Sequence, residues 1–248
     1  MVSDGHYEDG GRGGDGARHL RAGRNGQDAA AVWTGARGGA IVVCDGCGSG
    51  ASSEVGARLG AQLVIGALAA RIEAGGEAAD PAMWASVRAE IVAVLGRIVD
   101  AMPGDRARAL HDHFLFTVVA GAVTGEEVAV WAVGDGAYAI GDERRVLGPF
   151  ADNQPPYVAY DLLGDPPVAH LEIAAPRDRT VIVATDGIAE IGFDALAIDR
   201  ALQHPDALRR QLTVLARGSE AMDWEARRVM RTPALLQDDG AVAVLRWS

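Results

Sequence analysis

Apolar residues recur along this chain with two different periods, and the switches between them mark its elements. The stretches "AAAVWTG" (Ala29 to Gly35) and "GGAIVVCDG" are short, apolar and bounded by glycine, as strands are. From Ser52 to Glu73 the spacing turns helical. Val55, Leu59, Leu63, Ala67 and Ala70 share one face, widened by Val64, Ile65, Leu68 and Ile72. Gly75-Gly76 stops that helix, and Asp80-Pro81 starts another, with an N-cap acid and proline at the first helical position. Trp84, Val87, Ile91, Leu95, Ile98 and Met102 form its stripe. Two long helices with a short link predict an antiparallel pair.

The pattern then returns to strands. "HFLFTVVAGAV", "EEVAVWAVGDG" and "AYAIGDERRVLG" are joined at Thr124-Gly125, Asp135-Gly136 and Gly141-Asp142. Connections this short exclude crossovers and predict an antiparallel meander. Gly148 to Pro167, containing "DNQPPYVAYDLLGDPP", reads as a long surface loop of the kind that often carries function. "VAHLEIAA" and "RTVIVATDG" give two more strands, residues 194–230 a broken helical region, and "GAVAVLRW" a closing strand. Residues 1–16 hold too little apolar surface to offset ordering and predict a flexible glycine-rich tail, leaving 17–248 as one domain. This order of elements belongs to an α+β layered domain, not a βαβ repeat.

Charge narrows the functions open to it. The formal net charge is −11 with 23 Lys and Arg, which excludes general nucleic-acid binding for want of a basic footprint. Any phosphate chemistry then needs positive charge supplied locally, by a metal or a few placed arginines. Two cysteines make no disulfide framework and suit a reducing compartment. The N-terminal residues lack a signal-peptide pattern, and no uninterrupted apolar run approaches the ~20 residues of a spanning helix. The expectation is a cytoplasmic protein with no membrane partner.

"CDGCGSG" (Cys44 to Gly50) admits four chemistries. Gly46-x-Gly48-x-x-Ala51 fits a loose dinucleotide fingerprint, but no second parallel strand ending in an acid follows about 20 residues on. Redox use requires C-x-x-C at a helix N-terminus, whereas Cys44 belongs to the apolar strand and reads as a core filler. Zinc requires two further ligands, for which His111 and His113 in "LHDHF" are the available pair, at the start of a strand. The fourth reading is the aspartate. Asp45 ends one strand, Asp135 and Asp186 end others in "WAVGDG" and "IVATDG", Asp28 precedes a strand, and Asp238-Asp239 precede the last one. Asp and Gly are common turn residues, which accounts for any one of these. Strand ends gathered at one edge would instead build a carboxylate cluster, which repels itself unless divalent cations sit within it. Oxygen donors select Mg²⁺ or Mn²⁺.

In order, "NGQDAAAVW", "AIVVCDGCGSG" with its helix, "FLFTVVAGAV", "WAVGDGAYAI", "TVIVATDGIAEI" and "QDDGAVAVLRW" resemble the motifs of the protein phosphatase 2C (PPM) family, metal-dependent Ser/Thr protein phosphatases. The match is to a bacterial-type subgroup and runs from about His19 to Trp247. The resemblance implies a four-layer αββα sandwich, two antiparallel sheets flanked by antiparallel helix pairs, with two metals between the sheets at one end. By motif position Asp45 bridges both ions with the Gly46 carbonyl beside it, Asp186 and Asp238 hold the first, Asp28 serves the second, and Asp135 supports a weaker third. Asp45, Asp186 and Asp238 are thereby the implied catalytic residues. A hydroxide bridging the ions then attacks phosphoserine or phosphothreonine in line. The implied partners are a phosphorylated protein substrate and, at family level, a cognate Ser/Thr kinase. The chain departs from the pattern in places. Gln27 stands where many members have Glu, Cys47 where some carry His, and the phosphate-clamping arginine has no single match, with His19, Arg21 and Arg24 as candidates. A second reading is therefore a pseudophosphatase that binds a phosphoprotein or kinase without turnover. A third is hydrolysis of a small phosphate ester on the same metal pair.

Overall fold

The computed structural model describes the backbone of residues 7–14 and, apart from residues 197 and 205, residues 26–248. His19, Arg21 and Arg24 lie outside the described residues. Twelve strands are described: β1 (Tyr7–Gly14), β2 (Asp28–Gly35), β3 (Gly38–Gly46), β4 (Phe116–Thr124), β5 (Glu127–Val133), β6 (Gly136–Ile140), β7 (Glu143–Leu147), β8 (His170–Ala174), β9 (Thr180–Ala184), β10 (Ser219–Asp223), β11 (Arg228–Thr232) and β12 (Gly240–Trp247). They form two five-stranded antiparallel sheets, in the orders β1-β12-β9-β6-β7 and β2-β3-β4-β5-β8, plus the hairpin β10-β11.

Side chains alternate between layers, as the two-residue period of a strand requires. On β3, Ile41 and Val43 face the second sheet with Val119, Tyr138, Val181 and Leu245, while Val42 and Cys44 face the helices. Those helices are α1 (Ser53–Glu73) and α2 (Pro81–Ala101), the long pair read from the sequence. Asp80 caps α2 by accepting from Ala82 N at 2.9 Å. Trp84 of α2 stacks on Trp131 of β5 with centroids 6.1 Å apart. By length and composition α1 could cross a membrane, yet Val64, Ile65, Leu68 and Ile72 are taken up by the core under the sheet.

The opposite outer face carries shorter pieces. α4 (Asp186–Ile191), a 3₁₀ turn at Phe193–Leu196, α5 (Ile198–Gln203) and α6 (Ala207–Leu215) follow one another and pack Ile188, Phe193, Leu196, Leu208 and Leu212 against Ile182, Val242 and Val244. Four layers, αββα, result.

Four local expectations are corrected. Residues 7–14 are not tail: they pair along β12, Tyr7 opposite Trp247 and Gly14 opposite Gly240. Backbone hydrogen bonds supplied by a buried strand order a segment with almost no apolar side chains. The helical reading of 194–230 fails beyond Ala216, where β10-β11 projects with Trp224 81% exposed. Its helix-forming residues lack a core on which to lay a face. "LHDHF" does not open a strand but ends α3 (Arg106–His113), capped by Asp105 at Arg108 N, 2.8 Å. The proline-marked segment is not simply surface, since Tyr157, Val158 and Ala159 are buried. Arg88 of α2 clamps it through both oxygens of Asp161, at 2.9 and 2.5 Å.

Candidate active site

Antiparallel register, not sequence proximity, assembles the acids. Asp28 begins β2 directly opposite Asp45 near the end of β3, and Asp45 lies opposite Thr117 near the start of β4. In the other sheet Ala184 pairs with both Ala137 and Val242, so the β5–β6 turn, the end of β9 and the entry to β12 share one edge. That edge faces the first, and between them opens a cavity of about 600 Å³. Asp28, Asp45, Gly46, Asp135, Asp186 and Asp238 all line it, joined by Gln27, Cys47, Ser49, His111, Tyr157 and Asp239. Every acid singled out in the sequence therefore reaches one cavity.

Asp239 was passed over beside Asp238. It is 4% exposed, and its Oδ2 accepts from Gln27 N at 2.6 Å. The available signal was position: it is the residue immediately before β12, as Asp28 opens β2.

Gln27 is a strut. Its carbonyl accepts from Gly46 N at 3.2 Å, and its side-chain amide donates to Ser53 Oγ at 2.5 Å and to Cys47 O at 3.5 Å. Thr185 donates to Asp28 Oδ2 at 2.6 Å while accepting from Ala241 N, which ties the two sheets at the cavity floor. Asp135 is presented by glycines whose φ values, +100° at Gly134 and +128° at Gly136, suit residues without a Cβ.

Burial dominates the electrostatics. It pushes the Asp28 carboxyl up to about 7, with Asp239 and Asp186 adding to the rise against hydrogen bonds from Asp45 and Thr185. Burial likewise raises Asp45 well above the carboxylate range, reinforced by the charges of Asp28, Asp186 and Asp135. Asp135 rises to about 6 by burial and the charge of Asp186. Asp186, at the cavity mouth, is raised by partial desolvation and by Asp238. Crowded, buried carboxylates favour the protonated form, and a bound cation would reverse that preference.

Two observations bear on whether a cation fits. The donors are hard oxygens, and Asp135 Oδ1 is buried with no hydrogen-bond partner among the described residues. As they stand, no three described Asp, Glu, His or Cys side chains converge on one ligating centre. Asp28 and Asp45 share a hydrogen bond and Asp239 accepts from Gln27 N, so these carboxylates are engaged with one another and with the backbone. The set fits a divalent cation with oxygen preference. The thiol readings fare differently: Cys44 is buried in the core, and His113 does not line the cavity.

A stability signature follows. An acid whose folded pKa lies above its unfolded value destabilises the fold as pH rises between the two. For Asp28 that window runs from about 4 to about 7. Chelator-treated protein should thus melt at a lower temperature at pH 8 than at pH 5, and Mn²⁺ should raise the melting point most at the higher pH. Scanning calorimetry checks this, and a melting point that climbs with pH in chelator contradicts it.

Residues 15–231 match the family profile described as "Protein phosphatase 2C". No individually curated protein matches the chain. Among solved structures, the catalytic domain of the serine threonine protein phosphatase PstP in complex with two manganese ions is 18% identical, with TM-score 0.56, covering 98% of this chain and 99% of that one. Serine/threonine phosphatase Stp1 from Staphylococcus aureus is 15% identical, with TM-score 0.58 and coverage of 99% and 95%. A serine/threonine phosphatase from S. agalactiae is 15% identical, with TM-score 0.60 and coverage of 97% and 99%. At these identities the likeness is one of fold.

Proposed function

Since this chain belongs to the protein phosphatase 2C family, we propose that it is a metal-dependent protein serine/threonine phosphatase, hydrolysing phosphoserine and phosphothreonine at the acid-lined cavity. The observation that carries the reading is the convergence there of Asp28, Asp45, Asp135, Asp186, Asp238 and Asp239 from strand ends of both sheets. Asp45 occupies the middle of the group, acted on by the charges of Asp28, Asp186 and Asp135, and is the natural shared ligand. Asp186, Asp238 and Asp239 supply one side and Asp28 the other, with the Gly46 carbonyl beside Asp45. Asp135, with its partnerless oxygen, suits a further ion.

Bound Mg²⁺ or Mn²⁺ supplies an acidified water and charge compensation for the phosphoryl oxygens. The chain's own residues do the rest. Thr185 fixes the carboxylate of Asp28, Gln27 fixes Asp239 and the Gly46 amide, and Tyr157 and Tyr160 line the cavity beside them. With a net charge of −11 a phosphate is repelled unless positive charge is supplied locally, which ties affinity for substrate to cation loading. Free thiols at Cys44 and Cys47 suit an intracellular setting.

The pseudophosphatase alternative draws on Gln27 and on the lack of a clear phosphate-clamping arginine, whose candidates His19, Arg21 and Arg24 lie outside the described residues. In the structure Gln27 braces Asp239, Gly46 and Ser53, which supports the enzyme reading over a decayed ligand. A phosphothreonine peptide incubated with protein and Mn²⁺ should release phosphate, and EDTA should abolish the release. Metal-loaded protein that turns over no phosphopeptide but still binds one establishes the alternative instead.

A further inference from the structure

Hydrolysis of a seryl or threonyl phosphate expels an alkoxide, and a proton delivered to that oxygen in the transition state lowers the barrier. The cavity's carboxylates are committed to holding cations. His111 is the imidazole in the cavity lining. It sits in the last turn of α3, which is fastened to the loop that follows Asp45. Ser52 N donates to Asp112 O at 2.8 Å and Cys47 N to Leu115 O at 2.9 Å.

The two ring nitrogens meet different partners. Nδ1 lies 3.3 Å from Asp112 Oδ1, and Nε2 lies 3.5 Å from Ser49 Oγ, which is itself 3.1 Å from Cys47 Sγ. Asp112 is also met by Arg108 Nε at 3.3 Å. Its hydrogen bond with His111, then Arg108, holds that carboxyl below its ordinary value, so it remains an anion that orients Nδ1–H. Nε2 is left on the cavity side, where Ser49 Oγ is exposed and displaceable. The imidazole is itself half-exposed, open to an incoming peptide.

We propose that His111 is the general acid of this phosphatase, a role that rests on the phosphatase reading above. A water-derived hydroxide forms a new bond to phosphorus while the bond from phosphorus to the seryl or threonyl oxygen breaks, its electron pair staying on that oxygen. The Nε2 proton passes to the same oxygen. The products are the free hydroxyl side chain, inorganic phosphate and neutral imidazole, which regains a proton from solvent. Asp112 and Ser49 are positioning residues, the first fixing the tautomer and the second holding Nε2 until substrate replaces it.

Two substrates separate this role from a structural one. The alkoxide of a phosphothreonine peptide needs the proton, whereas the phenolate of p-nitrophenyl phosphate is stable at neutral pH and leaves without it. With Mn²⁺ present, His111→Gln should lower kcat on the peptide by ~10²-fold and on p-nitrophenyl phosphate by no more than about threefold. Asp112→Asn should shift the ratio in the same direction by less. Equal losses on both substrates, or an unimpaired rate on the peptide, overturn the assignment. Wild-type protein that hydrolyses neither substrate overturns the phosphatase reading itself, an outcome distinct from any split between substrates in the variants.

Discussion

Asp45→Asn is expected to remain folded and to lose at least ~10³-fold in metal-dependent hydrolysis of a phosphothreonine peptide. The substitution keeps the shape of the side chain and lets its amide donate to Asp28, so the β2–β3 pairing in which the two residues face each other is preserved. What disappears is the charge at the point where Asp28, Asp186 and Asp135 all act. In chelator at pH 8 the variant should melt higher than wild type, because unfolding no longer gains from ionising a carboxyl that burial and its acidic neighbours hold back in the fold. Loss of turnover with a gain in metal-free stability is a combination that misfolding cannot produce. The measurement is kcat against Mn²⁺ concentration beside a melting curve, and a variant within tenfold of wild type removes Asp45 from the centre of the site.

Gly187→Ala should cost about 3 kcal/mol, a fall of ~6–12 °C in melting temperature for a chain of this size, and should depress activity even where the protein stays folded. A Cβ at position 187 would lie 2.0 Å from the carbonyl oxygen of Asp239. The oxygen belongs to backbone and a Cβ is fixed by its own, so no side chain can swing aside, and α4 must part from the entry to β12. The glycine amide also donates to Asp186 Oδ1 at 2.7 Å. One methyl group therefore separates Asp186 from Asp239, the residues that the β9 and β12 sides contribute to the cavity. Calorimetry and kcat/KM at low temperature test the two effects separately, and an unchanged melting point refutes the packing argument.

The layered fold was legible in the sequence, and so were the acids that line its cavity, while several local elements were not. Asp45, Asp135 and Asp186 announce themselves because each ends an apolar run beside a glycine, and registers in an antiparallel sandwich bring such ends together. Asp239 was hidden by its neighbour: two adjacent acids look alike until the turn into β12 decides which one is buried. The β10-β11 hairpin left no alternation to read, since with the exception of Asp223 its strand residues are all exposed and "EAMDWEARRVMR" is rich in helix formers. β1 has no apolar pattern either, its order coming from a partner strand. His111 was visible only as a possible zinc ligand. Its place at the cavity depends on α3 docking against the Cys47–Ser52 loop, a tertiary contact that no local pattern encodes.

The pairing of β1 with β12 has a consequence for how the molecule comes into being. On a ribosome β1 emerges well before β12 and must wait unpaired until Gly240 to Trp247 follow, because those residues are its register partners. The sheet β2-β3-β4-β5-β8 draws on strands close to one another in sequence and can form earlier, whereas the other sheet closes only on an event of high contact order. Asp28 and Asp45 arrive with the early sheet, and Asp186, Asp238 and Asp239 with the late one. The nascent chain thus carries Asp28 and Asp45 before the acids of the other sheet, and the pairing of β12 is the step that completes the cavity.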